Sequence, residues 1–140
     1  SASSVRSQKT RYDEVCYPVL GISARYARVP YGLCNDYIKK DGGMPLIQWS
    51  IDTYDWRKER SNATILKNVK KQFTDGDIVL MHDIKDRTPK LAKALIQWLQ
   101  ENGYICLTID ELFVKDGVKL ENNVVYYRCE DGVTTRKQRD

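Results

Sequence analysis

Hydrophobic residues recur at intervals of three and four in three long segments of the chain, which predicts an amphipathic helix in each. Ser61 and Thr88 stand at the start of the second and third segments, and both residue types cap helix N-termini. Pro89 then occupies the first helical position, which favours proline. The predicted helices run from Ser3 or Ser4 to about Leu20, from Ser61 to about Phe73 and from Thr88 to about residue 102. The first carries its apolar stripe at Tyr12, Val15, Cys16 and Val19.

Short β-prone runs lie between these helices and predict strands over residues 22–30, 45–51, 78–81 and 104–109. Short helical segments are expected over 32–40 and 110–113. Strands that alternate with helices favour a parallel sheet of the α/β class. The last segment predicts a hairpin, with strands 114–118 and 124–129. Since an open sheet covered by helices on one side leaves a face bare, and the chain begins on a helix, we expect part of a larger barrel.

Composition excludes several classes of protein. The 140 residues are 41% hydrophobic and 30% charged, which is typical of one modest soluble domain. The net charge of +4 lies partly in residues 134–140, so it predicts no nucleic-acid partner, and no apolar run approaches the ~18 residues of a membrane span. Four scattered cysteines without CxxC spacing disfavour a zinc knuckle. We expect free thiols in the core, with Cys16 on a helical stripe and Cys106 in a strand.

Polar clusters end three of the predicted strands. They are Arg28-Val29-Pro30-Tyr31-Gly32, Asp52-Thr53-Tyr54-Asp55-Trp56 and Leu80-Met81-His82-Asp83. Because the carboxyl ends of parallel strands meet at one edge of a sheet, these clusters predict a site there. A lone histidine at a strand end is more often structural than catalytic, and Asp52 is expected to close its turn rather than do chemistry. His82 is the only histidine, which excludes a mechanism in which this chain supplies two histidine ligands and a histidine acid.

At these clusters the chain resembles the polysaccharide deacetylases of carbohydrate esterase family four. Arg28–Gly32 matches that family's Arg-x-Pro-Tyr-Gly segment, Asp52–Trp56 its Asp-x-x-Asp-Trp segment, and Leu80–His82 its Leu-x-His segment. Asn102-Gly103-Tyr104 and the run 108–113 resemble its closing strand and helix. One such segment is weak evidence, whereas three in order are strong. The resemblance covers roughly residues 1–127.

Two other segments of that family, an Asp-Asp pair and a His-x-x-x-His pair, do not stand upstream of Arg28. In the family they supply the catalytic base and an Asp-His-His zinc site. The resemblance therefore implies the C-terminal part of a distorted (β/α) barrel with a C-terminal β-hairpin, whose ligands for zinc or another divalent metal lie outside this chain. We assign residues 1–113 to this half-domain, 114–130 to a β-hairpin extension and 131–140 to a frayed tail. Such a half is expected to be inactive and poorly stable alone, and to pair with the missing N-terminal half or another copy.

The resemblance also implies roles for individual residues. His82 would be the general acid that protonates the departing amine, and Asp55 would hold its ring. Arg28 would orient the absent catalytic base through its planar fork of donors. The substrate-binding residues would be Tyr31, whose backbone N–H faces the oxyanion, with Trp56 and Leu80 as walls of the acetyl pocket.

The whole protein is thus expected to be a metal-dependent hydrolase that removes N-acetyl or O-acetyl groups from a polysaccharide. The resemblance places it outside the cell or in the cell envelope. The alternative is a catalytically inactive module that binds a glycan or a partner chain without a metal site. A small cytosolic α/β regulator is a third, distant option with no motif behind it.

Overall fold

The computed structural model describes residues 2–135. Its α-helices are α1 (Ala2–Leu20), α2 (Asp36–Asp41), α3 (Asn62–Gln72), α4 (Thr88–Glu101) and α5 (Ile109–Lys115), with a 3₁₀ turn at Pro30–Gly32. The strands are β1 (Leu46–Ile47), β2 (Ile51–Asp52), β3 (Val79–Leu80), β4 (Val125–Tyr126), β5 (Arg128–Glu130) and β6 (Val133–Thr135). They form two compact units. The first comprises the chain up to Gln48 with Lys119–Tyr126, and the second comprises Trp49–Val118 with the segment from Tyr127 onward.

The first unit is built on the parallel pair β1 and β4, in which Leu46 lies opposite Val125 and Ile47 opposite Tyr126. The strand predicted over 22–30 contributes only a parallel bridge from Ala27 to Leu46. Helix α1 packs against α2. Its predicted stripe is wrong as a core face, because Tyr12, Val15 and Val19 are all exposed.

The second unit is built on the parallel pair β2 and β3, with Ile51 opposite Val79 and Asp52 opposite Leu80. Helices α3 and α4 bury their apolar faces against Ile51, because the side chains on each helix recur at intervals of four and so share one face. The core residues on these helices are Ile65, Val69, Leu91, Leu95 and Leu99. Ser61 caps α3 as predicted, accepting the N–H of Thr64. Parallel pairing brings the segments after Asp52 and Leu80 to the same end of this core.

The α/β class with parallel strands is confirmed, and the C-terminal hairpin is present with other strands than predicted. Its antiparallel partners are β5 and β6, whereas Val114 continues helix α5 and β4 joins β1. A capping box of Thr108 and Glu111 starts α5 at Ile109, and the helix continues through Lys115 into residues predicted as a strand. Residues 133–135 form a strand and are not frayed, while 136–140 lie outside the described residues. The boundaries drawn at residues 113 and 130 stay predictions.

The burial of the cysteines differs partly from expectation. The predicted strand over 104–109 does not form: residues 104–108 have no regular structure, and residue 109 begins α5. Cys106 is therefore exposed and not buried in a core. Cys129 is the buried thiol, and Cys16 and Cys34 are half-buried. Trp49 is buried, and Trp98 is half-buried against the core of the second unit. None of the helices in the described part of the chain is long and apolar enough to span a membrane.

Candidate active site

The loops that follow β2 and β3 are tied together by Thr53, a residue that the sequence reasoning left without a role. Its hydroxyl donates to the carbonyl of Leu80 at 2.8 Å, and its main-chain N–H points to the same oxygen. Thr53 is buried, so this bond is shielded from water. The tie holds the segment that carries Asp55 beside the segment that carries His82.

Asp55 and His82 form a close pair at this strand end. The ring Nδ1 of His82 lies 2.6 Å from Asp55 Oδ1, and the main-chain N–H of His82 donates to Asp55 Oδ2 at 2.7 Å. The side chain of Asp55 is fully buried, whereas that of His82 is 34% exposed. Within residues 2–135, no side chain or main-chain group forms a hydrogen bond with the outer ring nitrogen, Nε2. The pair therefore presents an imidazole anchored at one edge and accessible to a substrate.

A third donor completes the shell of the carboxylate. The hydroxyl of Thr88, at the start of α4, donates to Asp55 Oδ2 at 2.6 Å. Burial alone would raise the pKa of Asp55, but the hydrogen bonds from Thr88 and His82 outweigh it and hold the pKa below its ordinary value. The carboxylate is thus ionised at neutral pH and can only accept. It follows that Nδ1 of His82 carries a proton and donates it to Asp55.

Thr88 corrects an expectation of the sequence. It does not cap α4, whose N-cap position is Arg87 without a side-chain bond, although Pro89 does lie in the first turn. The signal that could have found the true role is a hydroxyl residue at a helix start six residues after a strand-end histidine. Such a hydroxyl can turn toward the sheet instead of toward its own helix.

Asp52 closes the turn after β2, as expected. Its Oδ1 accepts the N–H of Tyr54 at 2.7 Å, an Asx turn that supports Tyr54 at a φ of 54°. Burial raises the pKa of Asp52, and the bond from Tyr54 offsets this only in part. Asp52 therefore has a local structural function.

Trp56 and Leu80 are the predicted pocket walls: Trp56 directly follows Asp55 in sequence, and Leu80 stands two residues before His82. Trp56 is 44% exposed, and the guanidinium of Arg57 lies 5.0 Å from its ring centre. Leu80 is buried in β3. Their roles toward an acetyl group stay predictions.

Arg28 and Tyr31 belong to the first unit, and their participation with Asp55 and His82 stays a prediction. Arg28 is exposed, and its guanidinium donates to the carbonyls of Ile47 and Gln48 at 3.3 and 3.5 Å. Burial lowers the pKa of Arg28. Tyr31 is 92% exposed at a φ of 57°, in the 3₁₀ turn.

The described residues do not by themselves fit a zinc site. Across 2–135, no three His, Cys, Asp or Glu side chains converge in a way that would hold a metal ion. Three or four such ligands are what a zinc ion requires.

The sequence is similar to those of known deacetylases. No protein-family model matches the chain. It is 36% identical over 127 residues to the peptidoglycan-N-acetylglucosamine deacetylase PgdA of Listeria monocytogenes, covering 91% of this chain and 26% of that protein. It is 31% identical over 99 residues to the peptidoglycan-N-acetylmuramic acid deacetylase PdaC of Bacillus subtilis, covering 71% of this chain and 21% of that protein. The chain thus spans about a quarter of the length of these two curated relatives.

Solved structures give the same picture of the fold. The T48 deacetylase with substrate superposes with a TM-score of 0.79 at 27% identity, covering 90% of this chain and 62% of that one. A family 4 acetyl xylan esterase from Clostridium thermocellum in complex with a cobalt ion gives 0.83 at 21% identity, with 91% and 64% covered, which bears on the fold alone. A wild-type CE4 family pseudoenzyme from Bacillus anthracis gives 0.71 at 27% identity, with 91% and 45% covered.

Proposed function

Since the chain corresponds to the C-terminal part of a polysaccharide deacetylase domain of carbohydrate esterase family 4, we propose that it supplies the general acid of an acetyl-removing site. The hydrogen-bonded pair of His82 and the buried Asp55 is the observation that carries the proposal. The substrate would be a polysaccharide bearing N-acetyl or O-acetyl groups. Action on such a polymer would place the protein outside the cell or in the cell envelope.

The chemistry assigned to His82 is one proton transfer. When a tetrahedral intermediate on the acetyl carbon collapses, an amine leaves readily only if its nitrogen is protonated in that step. Nε2 of His82 is the donor, because Nδ1 is committed to Asp55. Histidine is the side chain that most often serves as a general acid or base in enzymes. In this proposal Arg28 orients the catalytic base, Tyr31 binds the oxyanion, and Trp56 and Leu80 enclose the acetyl methyl.

Water activation is not assigned to the described residues. The family resemblance implies a divalent metal, zinc among the candidates, whose ligands would come from residues outside them. We propose that the missing N-terminal half of the domain, or another copy of the chain, provides that part of the site. The 140-residue chain alone is expected to release no acetate.

The decisive experiment measures acetate release from N-acetylated peptidoglycan glycan by the whole protein that carries this chain. His82→Gln is expected to lower the rate by about 10²–10⁴-fold, the usual contribution of a general acid. Lys67→Gln, on helix α3, is the matched control for an exchange to glutamine and should keep the rate. A chelator should abolish the rate and added Zn²⁺ restore it. Activity unchanged by His82→Gln refutes the assignment of the acid, and activity unchanged by the chelator refutes the metal dependence.

A second candidate is a module that binds a glycan without hydrolysing it. The likeness to a family pseudoenzyme at 27% identity favours keeping it. Calorimetric binding of acetylated glycan by the whole protein, with no acetate released at any divalent metal tested, would establish this alternative. Absence of Asp-Asp and His-x-x-x-His segments from the upstream sequence would point the same way.

A further inference from the structure

We propose that Thr88 is a positioning residue of this site, and that its hydroxyl locks the Asp55 carboxylate so that His82 keeps its proton on Nδ1. The catalytic consequence rests on the proposed function, whereas the positioning itself can be tested without any activity. The substrate-facing Nε2 is then the nitrogen that exchanges its proton with the leaving group.

The geometry assigns each carboxylate oxygen its own partners. Oδ1 of Asp55 receives the ring Nδ1 of His82, and Oδ2 receives both the His82 N–H and the Thr88 hydroxyl. Thr88 is 6% exposed and Asp55 2%, so water does not substitute for either group. Rotation of the carboxylate about its Cβ–Cγ bond would break these contacts together. Thr88 thus acts on Oδ2 to fix the position of Oδ1.

Helix formation does not explain the hydroxyl. The main-chain N–H of Thr88 donates to the carbonyl of Lys85 at 2.9 Å, in the turn that precedes α4. Its side chain makes no capping bond to α4, and among the residues that the structure describes its hydroxyl bonds to Asp55 alone. A valine has nearly the same shape and would serve the helix equally well. The hydroxyl therefore has a purpose that only Asp55 accounts for.

Removal of the Thr88 hydroxyl takes one of the three hydrogen-bond donors away from the Asp55 carboxylate. Oδ2 would keep only the His82 N–H, and a buried carboxylate with an empty acceptor position turns toward other donors. The contact that holds the proton on Nδ1 would then weaken, and the neutral ring with its proton on Nε2 would gain population. In that tautomer Nδ1 has no proton for Asp55 to accept, so Asp55 no longer stabilises the Nδ1–H form that remains when the protonated ring gives its Nε2 proton to the leaving group.

Nitrogen-15 NMR of the full 140-residue chain tests this directly, because His82 is its only histidine. At about pH 9, where a histidine ring is neutral, the wild-type chain should show one ring dominated by the Nδ1–H form. Thr88→Val should lower the ratio of Nδ1–H to Nε2–H by about tenfold, the equivalent of one hydrogen bond to a charged group. Thr88→Ser keeps the hydroxyl and should restore the wild-type ratio.

Ser50→Ala is the matched control, since Ser50 also donates a buried hydroxyl bond to a carboxylate, that of Asp77 at 2.8 Å. It should reduce stability without changing the ring of His82. A folded Thr88→Val chain with the wild-type ratio, or a Thr88→Ser chain that loses it, overturns the proposal. If Thr88→Val fails to fold, the wild-type spectrum decides. A slowly exchanging Thr88 hydroxyl proton is expected there, and its absence counts against the proposal.

Activity then separates the two proposals. In the acetate assay, Thr88→Val should lower kcat by about tenfold with KM nearly unchanged, and Thr88→Ser should recover it. If His82→Gln leaves acetate release intact while the NMR results hold, the proposed function fails and the positioning by Thr88 stands. If the NMR ratio is insensitive to Thr88 while His82→Gln abolishes activity, the positioning by Thr88 fails and the proposed function stands.

Discussion

Asp55→Asn is the perturbation whose outcome the structure specifies most closely. The amide oxygen of asparagine can take the place of Oδ2 and accept the His82 N–H and the Thr88 hydroxyl. Its NH₂ group then occupies the place of Oδ1 and faces Nδ1 of His82, where a donor meets a donor. Two of the three hydrogen bonds survive, and the third forms only if the ring moves its proton to Nε2.

The expected cost is the loss of one hydrogen bond to a charged group, about 1.5–3 kcal/mol of unfolding free energy. Urea unfolding at neutral pH measures it, and the NMR spectrum of the single histidine shows the inverted tautomer. In the acetate assay the variant should lose about as much activity as His82→Gln, because both remove an anchored acid. A variant with the wild-type urea midpoint and an intact Nδ1–H signal would refute the reasoning.

The same variant makes the acid dependence of stability testable. The pKa of Asp55 is lower in the folded chain than in the unfolded chain, so folding lowers the proton affinity of its carboxylate. The resulting stabilisation is complete above the ordinary pKa of about 3.9 and is lost as pH falls through the lower folded value. The wild-type advantage over Asp55→Asn should therefore shrink below about pH 4. An advantage that grows in acid contradicts the lowered pKa.

Three further predictions concern stability and thiol reactivity. Asp52→Asn should leave the urea midpoint unchanged or raise it at neutral pH, since asparagine keeps the turn bond and removes a carboxylate whose pKa burial has raised. Gly76→Ala should destabilise far more than Gly103→Ala. Both have a positive φ, worth about 1–2 kcal/mol of strain, but only at Gly76 would the added Cβ lie 1.6 Å from the carbonyl oxygen of Cys129. In the folded chain a maleimide should modify exposed Cys106 and spare Cys129, since burial and a hydrogen bond to a carboxylate raise the pKa of that thiol to about 11; peptide mass spectrometry checks this.

The sequence predicts the helices and strands of the second unit well, because the apolar spacing and the capping residues there match the structure that forms. Helix α3 has its stripe and its Ser61 cap, and the run that ends in β3 is a short buried strand. The contact of Asp55 with His82 follows from two strand ends that a parallel pair brings together. The run 45–51 is harder, since it is one apolar stretch that the fold divides between β1 and β2, in different units. A continuous apolar run does not reveal where the pairing partner changes.

The remaining errors arise where a long-range contact overrides a local preference. Thr88 satisfies the local rule for a cap, yet its hydroxyl serves a carboxylate 33 residues earlier in the chain. No reading of residues near Thr88 contains that acceptor. The residues of this hydrogen-bonded cluster, Asp55, His82 and Thr88, all lie in the second unit. The NMR and urea tests therefore ask about one compact unit, and their answers do not depend on whether Arg28 takes part in the site.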